Sequence, residues 1–300
     1  MKKILFQIKN KITKILYIRS PINVYLGQKI YQNDSGFLAN FIGNYVVKRN
    51  RKIYKLSRQN AINSQSLKIR DSGFSILDFE IDNMILNKIC GEFNNYTKKV
   101  DVPTDGRLEI SSINNDKFYE KFSAIEGIFS KKIINILEDY YETSFTIINT
   151  HIYRTVYIPK DSTNVEPYGS TEFWHNDSST TDSIKLFVLL SDTSKNSGPM
   201  HIIDKEETKR IVRNGFRKYR EGRSFGVIEN SCNVKKFTGK AGKIMIADTN
   251  LCLHRGDIPK MNTHRDMLVF YITSSYKPFR GIIKKESTRE QYYGFKRLFN

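Results

Sequence analysis

Apolar residues in Met1–Ser20 recur every three to four positions, at Ile4, Ile8, Ile12, Ile15 and Leu16, and draw one stripe along a helix. Lys2, Lys3, Lys9, Lys11 and Lys14 fill much of the remaining surface, and Pro21 supplies a stop. Residues 40–70 mix basic and polar side chains without a strong period and predict helix and linker. Gly73–Phe79 predicts a strand. Asp82–Phe93, with Met84, Ile85, Ile89 and Phe93, predicts a helix, and Asp116–Tyr141 another. From Phe145 onward the texture changes. β-Branched and aromatic residues gather in Phe145–Ile158, Ile184–Leu190, Met200–Ile203, Lys243–Ala247 and Arg265–Thr273, divided by Gly, Asn, Asp, Ser and Pro. Helices first and strands after predict a mainly β chain with N-terminal helices (α+β), a sandwich or barrel braced on one side. The expected organisation is a basic helical segment and linker over 1–70, then one domain over 71–300 ending in a short basic tail.

Composition narrows the classes. Hydrophobic residues at 39% and aromatics at 12% of 300 residues support a sizeable core and exclude a disordered chain. No run of 18 apolar residues is present, so no spanning helix is expected. Cys90, Cys232 and Cys252 are odd in number and form no CxxC, which argues against a disulfide scaffold and fits a reducing, cytoplasmic setting. The net charge of +18 is uneven, because residues 1–70 hold 15 Lys/Arg against Asp34 alone. That field suits anionic surfaces, and the first helix has two readings: lying on an anionic membrane, or packing its isoleucines on the domain. Lysines interrupt the apolar run, which excludes a secretory signal.

The chemistry sits in a few residues. In Phe173-Trp-His-Asn-Asp-Ser178, His175 and Asp177 are two apart in extended chain, so both side chains can reach one ion. His254 stands in Leu251-Cys-Leu-His-Arg-Gly256, ahead of a turn through Gly256, Asp257, Pro259 and Asn262. If Lys243–His254 and Arg265–Thr273 form a hairpin centred near 259–260, His254 falls opposite Arg265. Two imidazoles and a carboxylate on one face of a metal form the set of non-haem Fe(II) oxygenases, with positions left for a bidentate 2-oxo acid and O2. The fork of Arg265 suits the far carboxylate of a dicarboxylic cosubstrate; its plainer reading is a salt bridge to Asp257 or Asp266. Lys185, inside an apolar strand, is a second candidate for holding a carboxylate within the barrel, or else snorkels to the rim. Trp174 is expected to pack the barrel wall and His201 to be an ordinary polar residue. His264 should face away from the metal. His151 shares a face with Tyr153, Thr155 and Tyr157, and core, surface and cavity lining all remain open for it.

Together these segments resemble the phytanoyl-CoA dioxygenase family of Fe(II)/2-oxoglutarate-dependent oxygenases. The resemblance rests on His175, Asp177, His254 and Arg265, on Ile184–Asp192 followed by Asn196-Ser-Gly-Pro-Met200, and on Asp248-Thr-Asn250 before His254. It spans about 71–276. It implies a double-stranded β-helix, a cupin-type jelly-roll, binding Fe(2+) through His175, Asp177 and His254. It further implies 2-oxoglutarate on Arg265, and use of O2 to hydroxylate a small-molecule or carrier-bound substrate. Because the carboxylate of Asp177 is present, hydroxylation is expected over halogenation. Where the family runs on into Gly-Ser-His, this chain has Ile203-Asp-Lys-Glu206, a difference in a loop. The competing class is a non-catalytic jelly-roll that binds an anionic glycan, membrane surface or nucleic acid through its basic N-terminal region. Nucleic acid is disfavoured by the lack of any RRM, KH or zinc-finger pattern.

Overall fold

The computed structural model describes residues 37–54, 63–100, 107–112, 115, 117–157, 173–177, 182–213, 228 and 233–282. The amphipathic stretch at the N-terminus and the basic tail after 282 lie outside the described residues.

The strands form two antiparallel sheets. The larger has six in the order β1-β7-β4-β9-β3-β2: β1 Phe74–Glu80, β2 Arg107–Ser111, β3 Ser144–Val156, β4 Ile184–Leu189, β7 Lys243–Ala247 and β9 His264–Ser275. The smaller has β6 Lys235–Phe237, β5 Met200–Ile202 and β8 His254–Gly256, in that order. A single bridge between His175 and His254 continues it beyond β8. Alternation sorts the side chains. Ile184, Leu186, Val188, Ile244, Ile246, Leu268, Phe270 and Ile272 turn toward the helices. Phe187, Leu189, Met245, Met267 and Val269 instead meet Met200, Ile202 and Phe237 of the smaller sheet. This sandwich is the jelly-roll implied by the sequence.

One irregularity decides what lines the interior. The register of β3 on β9 shifts between Ile147 and Asn149. Before this bulge Phe145 and Ile147 face the helices; after it Ile152 does. The extra residue reverses the alternation, so Asn149, His151, Tyr153 and Thr155 turn inward.

The helices cover the outer face of the large sheet. They are α1 Phe37–Ile53, α2 Ser64–Ser72, α3 Asn83–Thr97, the single turn α4 Phe118–Lys121, and α5 Lys131–Tyr141. Asp82 caps α3 by accepting from the amides of Met84 and Ile85, and Asn63 caps α2 by accepting from Gln65. On α1, Asn50 is buried and donates to Ser274 Oγ at 2.9 Å. The single helix expected over Asp116–Tyr141 is instead three pieces, with a 3-10 turn at Ser123–Ile128 between α4 and α5. Phe122, at φ −121° and ψ 60°, and Phe129, at φ −78° and ψ 64°, leave helical space at the two breaks and stay buried. A further helix that the sequence pattern did not predict, α6 Lys205–Arg213, has its Glu207 amide capped by Asp204 at 2.8 Å. No described helix is long and apolar enough to cross a membrane.

Candidate metal centre

His175, Asp177 and His254 converge: one ligand atom from each lies within 4.8 Å of the others. Backbone brings them together. The amide of His175 donates to the carbonyl of His254 at 3.0 Å, and that of His254 to the carbonyl of His175 at 2.9 Å. The next turn is pinned by the Asp177 amide, which donates to Thr249 O at 2.9 Å. Asn176 reaches Asn250 O at 2.9 Å, and Asn250 in turn donates to Ser183 O at 3.0 Å. The loop before His254 is anchored from outside, where Asp248 N donates to Gly73 O at 2.8 Å. Gly73 closes α2 at φ 85°, a left-handed conformation natural to glycine.

Both rings present the same edge. His175 Nδ1 donates to the carbonyl of Phe173 at 2.7 Å and His254 Nδ1 to that of Cys252 at 3.0 Å. Each ring thus spends its Nδ1 proton on a carbonyl and turns Nε2 toward Asp177. The ring centroids are 4.3 Å apart, and His254 Nε2 is 3.7 Å from Asp177 Oδ2. That oxygen is buried. Buried imidazole nitrogens and a buried carboxylate oxygen aimed at one point fit a divalent cation.

Lys185 faces inward from β4 and sets its ammonium 2.5 Å from the same Oδ2. The ammonium also lies 4.4 Å above the ring of Tyr271, its neighbour across β9. Burial alone would raise the Asp177 carboxyl, but Lys185 and the two imidazoles outweigh it and hold it well below the ordinary carboxylate range. Asp248, beneath the turn, is pushed the other way to about 7, by burial first and then by the nearby Asp177 charge.

Beyond Tyr271 runs a polar wall that the sequence did not announce. The His151 ring lies 4.9 Å from that of Tyr271, with Nε2 bonded to Asn149 and Nδ1 to Glu109. Arg107 pairs with Glu109 at 2.8 Å and covers the ring of Tyr153 at 4.2 Å. Burial would raise Glu109, yet the bond from His151 and the Arg107 charge bring it down to about 2. Of these residues only His151 and Tyr153 stood out in the sequence, through the alternation from His151. The pairing of β2 with β3 that adds Glu109 leaves no local signal.

The hairpin expected between His254 and Arg265 does not form. β8 pairs with β5 in the small sheet, while β9 pairs with β3 and β4 in the large one, and Arg265 stands opposite Thr155. Three residues of β8 are too few to carry the predicted ladder, and the segment after Gly256 crosses between sheets. Arg265 is nonetheless buried on the inward side of β9, the side of Met267, Val269 and Tyr271. His264 is exposed on the opposite side, 3.7 Å from Asp266. Trp174 packs with Ile203, Ile228 and Leu253 on the outer face of the small sheet, and His201 is buried 3.6 Å from Asp257, away from the triad.

No family model and no curated protein sequence matches the chain. Solved structures do. EctD from S. alaskensis with bound Fe superposes with a TM-score of 0.51 at 12% identity, covering 74% of this chain and 80% of that one. EctD with 2-oxoglutarate and 5-hydroxyectoine gives 0.51 at 12% identity, over 79% and 91%. The epimerase SnoN in complex with Fe3+, alpha ketoglutarate and nogalamycin RO gives 0.50 at 12%, over 70% and 82%. At this identity the likeness is one of fold: the chain has the jelly-roll that these proteins have.

Proposed function

We propose that the chain is an Fe(II)- and 2-oxoglutarate-dependent oxygenase of the phytanoyl-CoA dioxygenase type, hydroxylating a C–H bond of a small or carrier-bound substrate. The observation that carries this is the convergence of His175, Asp177 and His254 with both Nε2 edges turned inward. When bound, iron and 2-oxoglutarate supply the oxidant from O2, with 2-oxoglutarate leaving as succinate and CO2. The protein's own share is position and dryness. His175, Asp177 and His254 hold the ion. Arg265 holds the far carboxylate of the cosubstrate with its planar fork. Phe187, Met245 and Val269 exclude water from the space between the sheets. The presence of Asp177 favours hydroxylation over halogenation.

The test is iron-dependent succinate formation from 2-oxoglutarate, measured across pooled metabolites after anaerobic loading with Fe(II). His254→Ala should abolish it and weaken metal binding by more than the roughly 10–100-fold lost with an outer partner. Succinate at background with every pool, from protein that holds iron, would refute the assignment.

A further inference from the structure

Lys185 occupies an improbable place for a lysine. Every residue of β4 is buried, and Lys185 is 7% exposed between Ile184 and Leu186. An ammonium enters such a position only against an anion. Its anion is Asp177 Oδ2, the oxygen that also faces His254 Nε2. The contact is an ion pair at 2.5 Å. A divalent ion bound through that oxygen and His254 would meet the ammonium at close range, in a site that screens charge poorly. A second seat is already built. The ring of Tyr271 lies 4.4 Å from Nζ, steadied on its other side by His151.

We propose that the Lys185 ammonium is the resident counter-ion of the triad, displaced by the metal and passed to an arriving anion. Before metal binds, it neutralises Asp177 and keeps the three ligands gathered. The metal drives it off Oδ2 toward the face of Tyr271. There it meets the carboxylate of the cosubstrate nearest the metal, the far carboxylate being left to Arg265. This second half rests on the 2-oxoglutarate reading above; the first half rests only on a divalent cation at the triad. Loading thus becomes ordered, metal before cosubstrate, because the ammonium is released only by the metal. Lys185 acts here as a positioning residue.

The experiment compares wild type with Lys185→Met, which keeps the stem and removes the charge. Co2+ is titrated anaerobically and followed by its visible absorption, then 2-oxoglutarate is titrated into the Co2+ form. Lys185→Met should bind Co2+ at least roughly tenfold more tightly, because a like charge beside the ion is gone, and its Co2+ form should bind 2-oxoglutarate roughly 10- to 100-fold more weakly, the worth of a charge-assisted contact. Melting guards against a merely structural effect: the metal-free variant should melt below wild type, and the Co2+ forms together. Equal or weaker Co2+ binding by Lys185→Met would overturn the displacement, while Co2+ binding by wild type that vanishes in His254→Ala would leave the metal reading standing. Unchanged 2-oxoglutarate affinity would overturn the hand-over. Wild type that binds no Co2+ would sink both ideas.

Discussion

Arg154 reaches from β3 to the start of β9, where Arg265 stands, and its removal tests how that end is held. Its guanidinium grips both carboxylate oxygens of Asp266, at 2.8 and 2.7 Å, and also donates to Asn94 Oδ1 of α3 at 2.9 Å. Asp266 is 4% exposed. The hydrogen bond to Asp266 and its charge raise the Arg154 pKa against the opposing effect of burial. Arg154→Met would keep much of the apolar stem and leave a buried carboxylate without its cation. Breaking one side of a buried pair costs about 3–5 kcal/mol. The Arg154 side chain keeps 19% of its surface in solvent, so the lower end, ~3 kcal/mol, is expected. For a domain of this size that lowers the melting temperature by roughly 6–12 °C. Urea unfolding of Arg154→Met, Asp266→Asn and the double variant gives the coupling directly. Because Arg154 contacts Asp266, Asn94 and the ring of Phe93 on the helix-facing side of the sheet, the face opposite the triad, Co2+ binding by Arg154→Met should stay at the wild-type level. A loss under ~1 kcal/mol, or additive single losses, would refute the reasoning.

Arg265→Ala should leave metal affinity unchanged and raise the apparent 2-oxoglutarate KM by roughly 30- to 1000-fold, the worth of a charge-assisted bidentate contact; Arg265→Lys should recover part of it. Gly73→Ala places a Cβ 2.3 Å from Cys252 Sγ at φ +85°. It should destabilise by about 1–3 kcal/mol and, through the loop before His254, weaken Co2+ binding, read by melting and titration. Glu109 has its folded pKa depressed from 4.5 to about 2. The stability it contributes is therefore present above pH 4.5 and lost as pH falls toward about 2, and Glu109→Gln should flatten that part of the unfolding profile, shallowly because the side chain is partly solvated.

Much of this was legible in the chain because it was local. The apolar runs 184–190, 243–247 and 265–273 are interior strands, and such strands are written almost without polar interruption. His175 and Asp177 could be paired because two residues of extended chain return a side chain to the same side. The partner of β9 could not be read. The turn at Gly256–Asn262 looks like a hairpin turn, but strand pairing is set by which faces the whole sheet can bury. Phe122 and Phe129 fit a helical period and still break the helix, since tertiary burial of their rings outweighs local propensity. Asp204-Lys-Glu-Glu207 carries a capping signal for α6, though the segment behind it has too few apolar residues to draw a helical stripe.

The two ligand histidines hold one another by main-chain hydrogen bonds, and each ring is turned by a main-chain carbonyl two residues before it. Main-chain groups are the same whatever the side chains, so the alignment of the rings is insensitive to the identities of residues 173, 174, 252 and 253. Substitutions there are answerable to packing alone. Such a centre can keep its geometry while the sequence around it drifts.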